Sequence, residues 1–250
     1  MQLTTSFRRL GQNDFRLIGR DLFLIWILIY YIVIAMVLRF TLPYLNTHFA
    51  VSGAVPFTLS DWYPMLVAYF LIFLGAAMSG IVYGFVLLEE KDNNTIKALL
   101  VTPLPVNHYI VFRVGVPLLI AFILVMAAVL ITGIAVPPLR QLALLAAGAS
   151  LAAPITALYF AGFAENKVQG LALSKFAGTA GFLIPLAWFT PEPLQFLFGL
   201  FPPYWVSKAY WLVLAGNPQW LGALALGIIL QVIMIAALTR RFNKVIYRDS

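Results

Sequence analysis

Cysteine is absent from this chain, and ionisable side chains are scarce. Only 10% of its 250 residues are charged, and there are two histidines. Without cysteine, neither disulfides nor thiol chemistry are possible. Two histidines and nine scattered carboxylates give no support for a metal site. The phosphate-binding sequence G-x-x-x-x-G-K-[ST] does not occur either. We therefore predict no catalytic residues, no metal site and no cofactor bound by this chain.

Hydrophobic residues are in large excess in this chain. They account for 62% of the sequence, and the mean hydropathy is +0.94, which places the protein in a membrane. A membrane-spanning helix needs about 20 mainly apolar residues. Six stretches qualify, and together they predict an all-α polytopic membrane protein with one domain over 1–250: residues 22–42, 62–88, 114–136, 139–163, 176–190 and 220–239.

The cationic residues predict the orientation of these spans. With both termini in the cytoplasm, 13 of the 16 lysines and arginines lie inside, and only Arg39, Arg140 and Lys208 lie outside. This asymmetry follows the positive-inside rule and accounts for the net charge of +7 without a nucleic-acid partner. We expect a multi-pass protein of a plasma (inner) membrane. The proline-rich stretch from Pro191 to Gln219 is predicted to form short helices in the outer leaflet.

The first twenty residues have the pattern of an amphipathic helix at the membrane surface. At about 100° per residue, Arg8, Arg9 and Arg16 fall on one arc, while Phe7 and Leu10 fall on the other. The apolar arc also contains a carboxylate, that of Asp14. We predict an interfacial helix over 1–20 in contact with membrane lipid. The alternative is a solvated basic tail that only fixes the topology.

A polar segment separates the second and third predicted spans. Residues 92–94 are Asp-Asn-Asn, which suit the start of a helix, and Pro103 and Pro105 prevent its continuation. A helix over 95–101 then places Ile96, Leu99 and Leu100 on one face. Such a face is suited to a groove on a partner protein. A simple interfacial helix that links two spans explains the same pattern.

Three parts of the chain resemble ABC-2 type transporter permeases, the membrane subunits of ABC exporters. The stretch 166–175 (NKVQGLALSK) is similar to a loop between the fourth and fifth spans in one branch of the family, and Pro203-Tyr204-Trp205 resembles an element of its last extracellular segment. The third part resembles the segment that follows the second span, and its matching residues are Glu89, Glu90, Thr95, Ile96, Leu99, Leu100, Thr102, Pro103 and Leu104.

The resemblance implies an exporter whose energy comes from a partner. In that case the helix over 95–101 is a coupling helix that binds an ATP-binding subunit, and ATP and Mg are held by that subunit. Two such subunits pair with two permeases, which are either identical or paralogous. The residues implied to contact the ATP-binding subunit are Glu89, Glu90, Thr95, Ile96, Leu99, Leu100, Thr102, Pro103, Asn166 and Lys167.

Two glycines of the second predicted span indicate close helix contact. Gly80 and Gly84 have the spacing of close helix contacts, either within one chain or between two copies.

An ion-coupled secondary transporter would place carboxylates in mid-membrane, yet all of them lie at span ends or in loops. An intramembrane enzyme lacks the histidines it would need in the membrane. The substrate is not identified, although aromatic and aliphatic spans suit an amphipathic molecule.

Overall fold

The structure of the protein is a computed structural model that describes residues 11–12, 14, 16–52, 58–93 and 106–248. All regular structure within these residues is helical. Six stretches are long and apolar enough to cross a membrane, which confirms the predicted fold class. We call them spans 1 to 6, and they comprise Leu22–His48, Leu59–Asp92, Tyr109–Thr132, Leu139–Phe163, Lys167–Phe189 and Trp220–Lys244.

Three spans belong to long continuous helices, and three are composite. The continuous helices are Leu22–Ser52, Val106–Thr132 and Trp220–Arg248. Span 2 joins a 3₁₀ turn (Leu59–Trp62), an α-helix (Tyr63–Val67), a π-helix (Ala68–Phe73) and an α-helix (Leu74–Asp92). Spans 4 and 5 each combine two helices, which are Leu139–Ser150 with Ala152–Phe163 and Lys167–Ala180 with Leu183–Phe189.

Consecutive spans run in opposite directions, so the bundle has two distinct ends. At the first, which we call the charged end, Lys167 of span 5 contacts Glu89 of span 2, and Arg241 of span 6 donates to the Gly162 carbonyl of span 4. At the second, the aromatic end, the Trp62 and Phe189 rings lie 5.4 Å apart. Both described chain ends lie on the charged side of this six-span arrangement.

Only the bounds 139–163 of span 4 agree fully with the sequence prediction. The other spans differ by several residues at one or both ends, and two of these differences have clear local causes. Span 3 ends at Thr132 instead of 136 because Gly133 adopts a φ of +67°, a conformation that ends a helix. Span 5 begins at Lys167 instead of 176. Its helix starts where the Asn166 side chain accepts a hydrogen bond from the Gln169 backbone N–H at 3.0 Å, as a helix cap.

Spans 2 and 4 form the centre of the bundle, and glycines allow their close approach. A Cβ atom on Gly80 would lie 2.4 Å from the Ala153 carbonyl oxygen, and one on Gly84 would lie 2.7 Å from the Phe160 ring. These contacts are closer than any side chain permits. The small-residue spacing therefore serves packing within one chain, which was one of the two interpretations of the sequence.

Substitution of Gly80 by alanine is expected to destabilise the bundle. The added methyl group meets the backbone of Ala153 and the Cβ of Thr156 in span 4, neither of which can rotate away, and such overpacking costs about 1–3 kcal/mol. Gly115→Ala on span 3 is the matched control, since no heavy atom lies within 4 Å of its added Cβ. Thermal unfolding in detergent measures the difference. An equal midpoint for the two variants would contradict this packing.

A buried helix at the aromatic end connects spans 5 and 6. A 3₁₀ helix (Leu194–Leu200) leads into Pro202–Leu214, which we call the linker helix. The Tyr210 hydroxyl donates to the Ala135 carbonyl at 2.7 Å, and the Trp211 indole N–H donates to the Pro64 carbonyl at 3.2 Å. The linker helix thus fixes the turn between spans 3 and 4 to the start of span 2.

Candidate functional site at the charged end

The predicted contact residues and the predicted interfacial-helix residues divide between described and undescribed parts of the chain. Glu89, Glu90, Asn166, Lys167 and Arg16 belong to the described residues. The remaining predicted residues lie outside them, and these are Phe7, Arg8, Arg9, Leu10, Thr95, Ile96, Leu99, Leu100, Thr102 and Pro103. The structure therefore defines the two attachment points of the 94–105 loop, on spans 2 and 3, and the helical residues that lead into span 1.

Four polar side chains form a buried charge cluster at these attachment points, and Arg113 lies at its centre. Its Nη1 donates to Asp14 Oδ2 at 2.7 Å, and its Nη2 donates to Glu90 Oε1. The Tyr109 hydroxyl donates to the other Glu90 oxygen at 2.7 Å. The Arg113 side chain is 1% exposed, and both carboxylates are 2% exposed. We refer to Asp14, Glu90, Tyr109 and Arg113 as the charge cluster.

The helical periodicity of spans 2 and 3 explains how the cluster forms. Tyr109 and Arg113 are four residues apart and therefore share one face of span 3. Glu90 continues the buried face of span 2, one turn after Val86 and Leu87. Glu90 lies two residues before the end of span 2 at Asp92, and the helix that contains span 3 begins at Val106. The cluster thus joins both ends of the predicted coupling loop to each other.

Asp14 brings the N-terminal residues into the same cluster. The described residues of 11–20 are helical, and Leu17 and Ile18 pack, together with Leu28 of span 1, against buried residues of spans 2 and 4 such as Val86 and Phe160. An aspartate on the apolar arc of this helix has a partner because Arg113 is buried opposite it. Burial raises the pKa of the Asp14 carboxyl, and the Arg113 guanidinium offsets only part of the rise.

Two polar atoms of the cluster lack hydrogen-bond partners. Asp14 Oδ1 and Arg113 Nε are both buried, and neither has a partner in the structure described here. Buried polar groups are nearly always paired, so each exception calls for a physical reason. The guanidinium is nevertheless held on its other sides, with its centre 5.3 Å from the Tyr109 ring and 5.5 Å from the Phe112 ring.

A second, more exposed set of contacts surrounds the cluster. Lys167 lies 3.0 Å from Glu89 and 3.7 Å from Asp21, so it connects the starts of spans 5 and 1 to the end of span 2. Lys91 donates to the Ala164 carbonyl at 3.3 Å. Because these ion pairs are partly exposed, each stabilises the fold by at most about 1 kcal/mol. Their main effect is to fix the 164–167 turn beside the base of the 94–105 loop.

The structure assigns different surroundings to the two adjacent glutamates. Glu90 points inward, and its carboxylate is fully occupied by Arg113 and Tyr109. Glu89 is partly exposed and pairs with Lys167. Sequence reasoning missed Asp14, Tyr109 and Arg113 as site residues. The signal was present, because Asp14 on an apolar arc and Arg113 at the start of a long apolar run each require an opposite charge.

A separate aromatic surface lies between spans 2 and 5. The Tyr69 and Phe182 rings are 5.5 Å apart and nearly parallel, at 28°. Phe182 is 56% exposed and Phe189, further along the same span, is 59% exposed. Gly181 allows span 5 to approach span 2 closely beside these rings, since an added Cβ would lie 2.2 Å from the Phe73 ring. Flat, partly exposed rings of this kind are suited to stacking against an aromatic molecule.

Comparison with known proteins identifies relatives over nearly the whole chain. No solved structure matches it. Two proteins of Mycobacterium tuberculosis match this chain. They are the fluoroquinolones export permease protein Rv2686c of strain H37Rv and its counterpart MT2760 of strain CDC 1551. Each is 30% identical over 235 residues, which is 93% of this chain and 92% of the relative. The family model of fluoroquinolones export permease protein Rv2686c-like sequences matches residues 14–239. This chain therefore belongs to the Rv2686c-like family of export permeases.

Proposed function

We propose that the chain is the membrane subunit of an ATP-driven exporter of the ABC-2 type. Two permease chains, identical or paralogous, form the pathway and bind two ATP-binding subunits, which hold ATP and Mg. The family assignment, the six apolar spans and the motif resemblance support this proposal. The chain contributes no catalytic residues. Its part is to bind the ATP-binding subunits and to change conformation with them.

The charge cluster is the observation that carries the proposal. Arg113 and Glu90 join span 3 to span 2 near the two ends of the 94–105 segment, and Asp14 joins the helical residues of 11–20 to the same point. A force applied to the loop by an ATP-binding subunit therefore reaches three helices at once. Since packed helices move as rigid elements, such a junction transmits a displacement rather than absorbing it.

The aromatic surface supports a substrate class. Both named relatives are fluoroquinolones export permeases, and a fluoroquinolone contains a flat aromatic ring system. The Tyr69 and Phe182 rings offer a stacking surface of matching chemistry on spans 2 and 5. We therefore propose a flat, amphipathic aromatic compound as the substrate, with a fluoroquinolone as the first candidate.

Transport by reconstituted protein tests the function directly. The chain is co-purified with candidate ATP-binding subunits, reconstituted into vesicles and supplied with a fluoroquinolone and Mg-ATP. We expect the drug to accumulate only in the presence of both subunits and hydrolysable ATP. Accumulation driven by a proton or sodium gradient without the ATP-binding subunit would overturn the proposal in favour of a secondary transporter.

We further propose that the charged end faces the cytoplasm of the cell, at its plasma membrane, with both termini inside. The chain has no native cysteine, so single cysteines report on topology without background. Ser60→Cys at the aromatic end is expected to react with a membrane-impermeant maleimide in intact cells. Glu165→Cys at the charged end is expected to react only after permeabilisation.

These two positions form a matched pair because both side chains are exposed in the protein. Complete labelling of both after permeabilisation is the control for accessibility. Labelling of Glu165→Cys in intact cells, with protection of Ser60→Cys, would show that the orientation is inverted. In that case the 94–105 loop would be inaccessible to a cytoplasmic ATP-binding subunit.

A further inference from the structure

The charge cluster contains more acid than base. Asp14 and Glu90 contribute two carboxylates, and Arg113 contributes one guanidinium, at exposures of 1–2%. Among the described residues, the other titratable groups beside these carboxylates are Tyr109 of span 3, which donates to Glu90, and Tyr83 of span 2, which lies near Asp14; both are uncharged at neutral pH. With both carboxylates ionised, the cluster would bury an unbalanced negative charge. A buried charge without a partner is among the costliest arrangements in a folded protein.

One bound proton removes this imbalance, and the hydrogen bonds indicate where it is held. Glu90 accepts hydrogen bonds on both oxygens, from Arg113 and from Tyr109, so its ionised form is well stabilised. Asp14 accepts a hydrogen bond on Oδ2 only, and its Oδ1 is buried without a partner. A neutral hydroxyl at Oδ1 is less costly there than an anionic oxygen. The ionised form of Asp14 is therefore less stabilised than that of Glu90, so Asp14 is the carboxyl that binds the proton more readily.

We propose that the charge cluster is a proton-binding site in which the Asp14 carboxyl holds one proton at neutral pH. The direction in which burial shifts the Asp14 pKa agrees with this assignment. The site does not depend on an ATP-binding partner, because every group that forms it belongs to this chain. It therefore stands or falls separately from the proposed export function.

Proton binding also sets how firmly the N-terminal residues are attached. The site is formed only when the helical residues of 11–20 pack on spans 2 and 3. Because the pKa of Asp14 is higher in the attached state than when it is exposed to water, attachment is strongest at low pH. The attachment weakens as the pH rises from 3.8, the ordinary pKa of the carboxyl, towards the raised pKa of Asp14 in the attached state. Neutral Asp14→Asn should keep the residues attached at every pH.

Infrared difference spectroscopy of the full-length protein tests the site. We expect a protonated-carboxyl C=O band at pH 7 that disappears on alkaline titration. Asp14→Asn is expected to abolish it. Glu90→Gln is expected to abolish it as well, because a single carboxylate beside Arg113 ionises. Glu89→Gln is the control, since Glu89 is partly exposed and pairs with Lys167 instead, and its band should equal that of the wild type.

Three results would overturn the proposal. They are the absence of the band in the wild type at pH 7, its persistence in Asp14→Asn, and its persistence in Glu90→Gln. The wild-type titration decides the question even where a variant folds poorly.

A nitroxide at Gln12→Cys gives a second readout. We expect its mobility to rise with pH in the otherwise wild-type protein and to stay constant when Asp14→Asn is also present. An identical pH profile in both proteins would exclude control of attachment by this proton.

Discussion

Substitution of Arg113 by leucine is expected to reduce the stability of the protein severely. The guanidinium is the only cation that contacts Asp14 and Glu90 among the described residues. Without it, Glu90 is left as a buried carboxylate with a single hydrogen bond, from Tyr109. Removal of one partner of a buried ion pair costs about 3–5 kcal/mol, which is a large part of the 5–15 kcal/mol that typically stabilises a folded protein.

The matched control is Arg140→Leu, at the start of span 4, where the side chain is exposed. Exposed substitutions of this kind usually change stability by about 0.5 kcal/mol or less. Denaturation in detergent, followed by circular dichroism, measures both variants. A triple variant, Arg113→Leu with Asp14→Asn and Glu90→Gln, is expected to recover part of the loss because it leaves no buried charge. Equal stability of Arg113→Leu and Arg140→Leu would show that the cluster does not hold the charged end together.

Introduction of aspartate at Leu99 is expected to abolish binding of the ATP-binding subunit. In the predicted helix over 95–101, Leu99 lies on the apolar face with Ile96 and Leu100. An isolated carboxylate in an apolar groove must be desolvated or protonated, which costs several kcal/mol. Since about 1.4 kcal/mol corresponds to a tenfold change in affinity, co-purification should fall by more than tenfold. The double variant with Leu100→Asp should lose it completely.

Leu200→Asp is the control for a general effect of an added charge. Leu200 lies at the aromatic end and is 92% exposed, so its substitution alters the opposite side of the bundle. We expect unchanged co-purification and unchanged ATPase activity for this variant. Normal recovery of the ATP-binding subunit with Leu99→Asp would contradict the coupling-helix assignment. The 94–105 loop would then be only a linker, as the alternative interpretation of the sequence holds.

The two predictions separate the inside of the site from its surface. Arg113→Leu acts on groups that no partner can reach, so its first effect is on the stability of the chain itself. Leu99→Asp acts on a face predicted to be buried only by a partner, so the chain alone should keep its stability. If Arg113→Leu lost only partner binding, Arg113 would belong to the contact surface. If Leu99→Asp lost the stability of the chain itself, Leu99 would belong to the core.

The sequence by itself determined the class and the number of spans. Runs of apolar residues have no stable place in water, and a backbone in lipid must form its hydrogen bonds internally, so six apolar stretches become six helices. The helix ends were less predictable. The start of span 5 depends on one side-chain cap at Asn166, and the end of span 3 depends on the left-handed conformation of Gly133.

The tertiary structure alone decided which residues meet. Asp14 and Arg113 are 99 residues apart in the chain, and Lys167 and Glu89 are 78 apart, so no local pattern specifies their pairing. The charges of Asp14 and Arg113 indicated that each requires a partner, because an isolated charge is unstable in an apolar environment. Helix packing selected the partner, because span 2 also packs against span 3, and this contact positions Glu90 beside Arg113.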